Sequence, residues 1–214
     1  MKNNIIRALL LCVVVLISTN VSAQDEDKYE SLKQRAKEKV KMLNDYISFL
    51  ADPSFDKRTK NIYKEEAEYL FINSCGPYEE KVEYRNGSIR SFMHDGVTME
   101  VSSVKNKTPR TKPMKTYFNG LIYLSNVYKA VTIETTDIAD MRVSKLIKRP
   151  DGKYECAVYF DQTFIGRRGD GRTYADITRK WIICHIEEIE TVDGTEYDTK
   201  LGDVHVISTE RIFL

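Results

Sequence analysis

The chain has 214 residues and nearly equal numbers of basic and acidic side chains, 33 Lys and Arg against 32 Asp and Glu, for a net charge of +1. Proteins that bind nucleic acid usually carry an excess of positive charge, so this balance argues against nucleic acid as a partner. The length is that of one domain, with a hydrophobic core large enough to fold without disulfides.

Residues 1–23 have the three parts of a secretory signal peptide. Lys2 and Arg7 come first, an apolar run covers residues 8–17, and the small-residue site Val21-Ser22-Ala23 follows. The run is too short for a permanent membrane anchor. We therefore expect one mature domain over residues 24–214, without a transmembrane span, secreted to a periplasm or to the outside of the cell.

Three segments have the spacing of amphipathic helices. Residues 24–51 place apolar side chains three and four positions apart, and Asp52-Pro53 ends this pattern. Similar spacing predicts a second helix over residues 56–73 and a third over residues 114–126. The first helix does not sustain a coiled-coil heptad, so we expect it to pack across a sheet.

Alternating side chains and turn sequences predict the strands. Asn86-Gly87 lies within residues 82–90 and is typical of a two-residue hairpin turn. The other predicted strands cover residues 96–104, 128–148, 154–165, 173–189 and 204–213. We expect the strand over 128–148 to bend at residues 136–140, and residues 198–203 to form a loop.

Residues 105–115 contain five Lys or Arg and two Pro without apolar periodicity. We interpret this segment as a solvated loop. The alternative is a patch that binds an anionic glycan or a lipid head group.

The strand over residues 154–165 shows which face of the sheet is buried. Cys156, Val158 and Phe160 alternate with Tyr159 and Asp161, and the first set is more apolar, so we expect it to face the helices. Helices early in the chain followed by a run of strands predict an α+β fold, with N-terminal helices packed on one face of a curved antiparallel sheet.

The order of these elements resembles the nuclear transport factor 2-like cone, which includes the SnoaL-like cyclases and ketosteroid isomerases, and also secreted bacterial proteins that carry this domain. The stretches that carry the resemblance are Tyr117-Phe118-Asn119-Gly120-Leu121, Gly152-Lys153-Tyr154, Phe164-Ile165-Gly166, Gly169-Asp170-Gly171 and Lys200-Leu201-Gly202-Asp203. The resemblance implies a pocket between the helices and the concave sheet, used for a ligand, for catalysis or for dimerisation through sheet faces. It brings no catalytic motif with it.

Isomerase-like chemistry in such a cone needs a carboxylate base in an apolar cavity and hydroxyl donors beside it. The candidates on or near the long strands are Asp161, Tyr159 and Asp137. Asp161 falls on the less apolar face, where it is expected to meet solvent or Arg179. We therefore favour a non-catalytic protein over an enzyme.

Three aromatic residues are candidates for ligand contacts, namely Tyr63, Tyr117 and Trp181. His185, His205 and Glu187 are possible metal ligands, but they lack the spacing of a zinc site, and we predict neither a metal nor another cofactor.

Cys156 and Cys184 flank the turn at residues 167–171 almost symmetrically, which places them opposite each other on neighbouring strands. Two interpretations remain open: a cross-strand disulfide, which an oxidising compartment allows, or two small buried thiols.

These observations favour a secreted, non-catalytic binding domain whose partner is a small molecule, a glycan or an envelope protein. The alternatives are an isomerase-like or cyclase-like enzyme in the same cone, and an envelope assembly subunit. A homodimer through the open sheet face is compatible with the first and the third hypotheses.

Overall fold

The fold is described from a computed structural model of the chain. It describes residues 2–84, 86–104, 106–149, 151–192 and 194–213, of which the side chains of residues 2–25, 82–83 and 106–107 are not described. The side chains of the predicted signal peptide therefore lie outside the described part of the chain.

The described residues form three α-helices, α1 (Lys2–Ala51), α2 (Lys57–Tyr69) and α3 (Met114–Ile122). One side of α1 is buried through residues spaced by threes and fours, including Leu32, Ala36 and Leu43. Within the described residues, no helix combines the length and apolar character needed to cross a membrane.

Ten strands are found in the part of the chain that the structure describes, and eight of them form one large sheet. The strands are β1 (Tyr78–Glu83), β2 (Ile89–His94), β3 (Thr98–Ser103), β4 (Asn106–Pro113), β5 (Ala130–Thr135), β6 (Arg142–Val143), β7 (Ile147–Lys148), β8 (Tyr154–Arg167), β9 (Thr173–Thr191) and β10 (Gly194–Arg211). The order in the large sheet is β4-β3-β10-β9-β8-β5, and β6 and β7 also pair with β8. Within the described large sheet, β3 pairs with β10 in parallel and the other strand pairs are antiparallel, so the predicted antiparallel sheet is in fact mixed.

Two local predictions were wrong. The basic segment is not a loop, because residues 106–113 form β4 and pair with β3 along most of its length. Residues 198–203 are not a loop either, since they lie inside β10, where a bulge between Leu201 and Val204 interrupts the pairing with β9. In both segments, pairing with a neighbouring strand outweighs a weak local pattern.

The α+β arrangement with N-terminal helices is confirmed. Burial alternates along β8, where Cys156, Val158 and Phe160 are buried and their neighbours are half-exposed. This buried side, called the inner face, packs against α1, and both contribute to one core. The opposite side, called the outer face, carries the half-exposed residues. The predicted bend is also present, because β5 ends at Thr135 and the chain turns over residues 138–140.

Candidate ligand-binding cavity

A cavity of about 230 Å³, called the inner cavity, lies where α3 covers the inner face. Its polar lining comes from β8 and β9, through Gln162, Tyr174, Asp176, Thr178 and Lys180. Its apolar walls come from β3, α3, the turn after α3, β5 and β8, through Val101, Leu121, Leu124, Ile133 and Phe164. The arrangement combines a polar floor with apolar walls, as small-molecule sites commonly do.

The register of β8 and β9 places the polar residues in alternate residue pairs of the two strands. Phe164 pairs with Asp176, Gln162 with Thr178, and Phe160 with Lys180. Side chains in a strand alternate between faces, so these residues share the side of β9 that also holds the core residue Ile182. The polar residues are therefore directed under the helices.

Lys180 is a buried ammonium group with one protein partner. Its Nζ donates a hydrogen bond to Oε1 of Gln162 at 2.7 Å, and Nε2 of Gln162 donates to Oδ1 of Asn44 on α1 at 2.8 Å. An ammonium has three donors, yet Lys180 makes no second side-chain hydrogen bond to the described part of the chain. Burial lowers the pKa of Lys180 to about 8, against the opposing charge of Asp176.

Asp176 and Tyr174 form a second polar group in the inner cavity. A carboxylate oxygen of Asp176 accepts a hydrogen bond from the Tyr174 hydroxyl, whose oxygen accepts one from the backbone N–H of Val104 at 3.3 Å. Burial raises the pKa of Asp176, although the Tyr174 hydrogen bond and the charge of Lys180 oppose this. Burial, and then the contact with Asp176, raise the pKa of Tyr174 to about 12, so the hydroxyl keeps its proton near neutral pH.

One of the three predicted ligand-contact residues, Tyr117, lines the inner cavity. Burial raises the pKa of its hydroxyl. Tyr63 instead belongs to an aromatic cluster between α1 and α2, with its ring 5.0 Å from that of Phe49. Trp181 lies on the outer face, half-buried and stacked on His205 with ring centroids 4.2 Å apart.

The predicted catalytic residues do not come together in a cavity under the helices. Tyr159 pairs with Trp181 across the outer face. Asp161, also on the outer face, forms an ion pair with Arg179 at 3.1 Å, and Asp137 is exposed in the turn after β5. None of the three carboxyl or hydroxyl groups lines the inner cavity.

The sequence interpretation missed Asp176, Lys180 and Gln162. A signal was present, because Asp176 and Lys180 occupy the positions in β9 that alternate in step with Ile182 and Cys184. Charged residues on the apolar side of a predicted strand are rarely buried without a role.

A second cavity, called the outer cleft, has a volume of about 300 Å³ and lies between β1 and the outer face. Arg149 bridges two carboxylates there: its Nη2 donates to Oε1 of Glu80 at 3.0 Å, and its Nη1 donates to Glu155. His94 contacts Glu80 at 3.0 Å, and Nδ1 of His185 lies 3.6 Å from Oε2 of Glu155. The charges in this group are therefore paired with one another.

The pKa shifts in the outer cleft agree with this pairing. Burial acts to lower the pKa of Arg149, but Glu155 and Glu80 outweigh that effect and raise it. Burial lowers the pKa of His185, which the charge of Glu155 opposes. Within the described residues, no group of His, Cys, Asp or Glu is arranged to hold a metal ion.

The cysteines lie as their spacing predicts, since Cys156 pairs directly with Cys184 across β8 and β9. Both are buried free thiols in this structure, so the disulfide stays a prediction that a non-reducing mass measurement would test. Cys75 is also a buried free thiol, and burial raises its pKa to about 12, which makes it a poor nucleophile.

Comparison of the chain with protein-family models, with curated proteins and with solved structures finds no match in any of the three.

Proposed function

We propose that the protein is a non-catalytic binding domain that holds a small organic molecule in the inner cavity. The observation that carries this proposal is the buried Lys180 ammonium, which borders the cavity and has one side-chain hydrogen-bond partner, Gln162, among the residues that the structure describes. A buried charge with unused donors costs free energy that a ligand acceptor would recover.

The walls define the rest of the ligand. Leu121, Leu124, Ile133 and Phe164 enclose the space above the polar floor, so an apolar body fits there. We therefore propose a ligand with an apolar part and at least one hydrogen-bond acceptor near Lys180.

The sequence supports the same proposal independently. A cavity between helices and sheet is what the resemblance to the nuclear transport factor 2-like cone implies. The signal-peptide pattern of residues 1–23 predicts that the mature domain works outside the cytoplasm. We propose that it binds its ligand in the periplasm or beyond it.

The test has two parts. Native mass spectrometry of protein purified without refolding is expected to show a bound molecule that denaturation releases. Calorimetric titration with 1-octanol then tests the cavity directly. Leu124→Trp, which places an indole where a half-buried wall residue stood, is expected to abolish binding by filling the space.

Lys180→Met is expected to weaken octanol binding about tenfold, because it removes the donor for the octanol oxygen. Lys112→Met, an exposed lysine on β4, is the matched control. Octanol that binds equally well to wild type and Leu124→Trp would occupy another site, and the proposal would fail.

A second candidate function is proton abstraction next to a carbonyl. Asp176, whose pKa burial raises, lies in the cavity beside a hydroxyl donor, as isomerase-like chemistry requires. Deuterium exchange at the α-carbons of cyclohexanone, followed by NMR, tests it. Exchange that wild type catalyses and Asp176→Asn does not would favour the enzyme.

A further inference from the structure

A shallow depression on the protein surface, called the arginine mouth, has a volume of about 360 Å³. Three guanidinium groups surround it, those of Arg168, Arg172 and Arg211. Arg168 and Arg172 both lie in the turn between β8 and β9, and Arg211 is the last residue of β10. Separate parts of the chain thus bring positive charge to one place.

The arginine mouth adjoins the inner cavity. Tyr174 and Ser103 line both, so they form the boundary between the two spaces. An aromatic series follows the same route, with ring centroids 5.4 Å apart from Tyr128 to Phe164 and 6.1 Å apart from Phe164 to Tyr174. Gly166 makes room for this series, because a Cβ there would lie 2.5 Å from the Tyr128 ring.

The charges at the arginine mouth are incompletely paired. Arg172 forms an ion pair with Asp170, and its Nε donates to Oδ2 at 2.7 Å. Arg168 and Arg211 instead lie over aromatic rings, 5.9 Å from the Tyr128 centroid and 5.3 Å from that of Phe213. Neither has a carboxylate within ion-pair distance among the described residues, although Asp170 lies within electrostatic reach of Arg168.

The volumes of the inner cavity and the arginine mouth also favour a single ligand that occupies both. The inner cavity alone, at about 230 Å³, is smaller than typical small-molecule sites, which span roughly 300–1,000 Å³. The cavity and the arginine mouth together reach that range. Along β9, the four steps from Tyr174 to Thr178 span roughly 14 Å at about 3.4 Å per step, which suits an elongated molecule.

We infer that the ligand carries an anionic group, a carboxylate or a phosphate, which binds at the arginine mouth while its apolar part occupies the inner cavity. This inference rests on the proposed function and adds the chemical class of the ligand. Guanidinium groups bind carboxylate and phosphate through paired N–H donors. Among the described side chains, no carboxylate forms an ion pair with Arg168 or Arg211.

The test compares four probes with the same alkyl chain: octyl phosphate, octanoate, 1-octanol and octylammonium. Calorimetric titration is expected to rank at least one anion about tenfold or more above octanol, and octylammonium below it. The ranking of octyl phosphate against octanoate identifies which anion the mouth prefers. Raising NaCl from about 50 mM to about 300 mM should reduce the preference, since the exposed arginines are screened.

The double variant Arg168→Gln/Arg211→Gln is expected to reduce anion binding about tenfold and to leave octanol binding unchanged. The matched control, Arg90→Gln/Arg142→Gln, removes two exposed arginines that do not line the mouth. Circular dichroism of both variants reports whether they fold.

The outcomes separate the two proposals. Equal affinity for octanol and both anions would overturn this inference and leave the proposed function standing. If Lys180→Met loses the preference for anions while the arginine double variant keeps it, the anion binds beside Lys180 on the cavity floor. That result would also overturn this inference. Failure of all four probes to bind the folded wild type would overturn the proposed function itself.

Discussion

The inner cavity and the outer cleft differ in how their charges are paired. The outer cleft is larger, about 300 Å³ against about 230 Å³, and more charged groups line it. Arg149 there bridges Glu80 and Glu155, and a histidine contacts each carboxylate. Lys180 in the inner cavity has one neutral partner. This difference indicates that the better candidate site is the one whose buried polar groups have unused hydrogen-bonding capacity. Volume and charge are poorer criteria.

The physical reason lies in what each charge is needed for. The Arg149 pairs connect β1, which lies outside the large sheet, to β8 within it, so they have a structural role. An apolar residue at position 180 would stabilise the packing of the inner face equally well, because replacing a buried charge by a matching apolar side chain is often neutral or stabilising. Lys180 connects to α1 only indirectly, through Gln162 and Asn44 in the described part of the chain.

The largest expected effect concerns Lys180 and alkaline pH. Its pKa falls from 10.5 to about 8 on folding, so between these values the unfolded chain binds a proton that the folded chain has released. Stability therefore rises with pH across this window, by at most about 3 kcal/mol relative to Lys180→Met. Urea unfolding of both proteins near pH 8 and near pH 10.5 measures the difference.

Lys112→Met serves as the control, since it removes an exposed lysine. If the difference in unfolding free energy between wild type and Lys180→Met is the same at both pH values, the ammonium is not buried as described.

Removing the ion pairs of Arg149 in the outer cleft should destabilise the protein without affecting octanol binding in the inner cavity. The Arg149 side chain is 16% exposed and holds two carboxylates, so Arg149→Met leaves both without their cation. We expect a loss of about 2 kcal/mol, less than for a fully buried pair because solvent screens part of the interaction. Urea unfolding measures it, and octanol affinity should not change.

Arg90→Met, an exposed arginine on β2, provides the comparison for Arg149→Met. A weakened octanol affinity in Arg149→Met would show that the two regions are coupled.

A smaller effect is expected at the boundary between the inner cavity and the arginine mouth. A Cβ at Gly166 would lie 2.5 Å from the Tyr128 ring, so Gly166→Ala must displace the ring, at a cost of about 1 kcal/mol. The displaced ring should also lower the affinity of the protein for octyl phosphate. Gly120→Ala is the control, because nothing lies within 4 Å of its Cβ position and alanine favours the helix.

If Gly166→Ala binds octyl phosphate as wild type does, Tyr128 takes no part in the route to the cavity. Calorimetry and thermal unfolding of the two glycine variants decide this.

The smallest expected effect concerns His185 and the stability of the protein at acidic pH. Burial lowers the pKa of His185 below 6.5, so below pH 6.5 the unfolded chain binds more protons and stability falls as pH decreases. His185→Gln should remove this part of the acid destabilisation, as measured by urea unfolding at pH 7 and pH 5. His205→Gln, on the outer face beside Trp181, controls for loss of an imidazole. An unchanged slope in His185→Gln would contradict the burial of His185.

Much of the fold followed from local pattern. Alternation in residues 154–165 predicted which side of β8 is buried, because neighbouring side chains in a strand must point to opposite faces. Counting outward from the turn placed Cys156 opposite Cys184, and the structure pairs them. The positions of α2 and α3, and the bend after β5, were also predictable from spacing and turn residues.

The sequence alone therefore determined the class of fold and the inward side of β8, since helical and strand periods are properties of neighbouring residues. Only the tertiary structure decided that β3 lies beside β10, that residues 106–113 form an edge strand, and that a cavity covers Lys180. What covers a given rung of β9 depends on where α3 packs, and α3 lies more than fifty residues earlier in the chain. Contacts between such distant segments leave no periodic signal in either one, so the site appears only when the chain is folded.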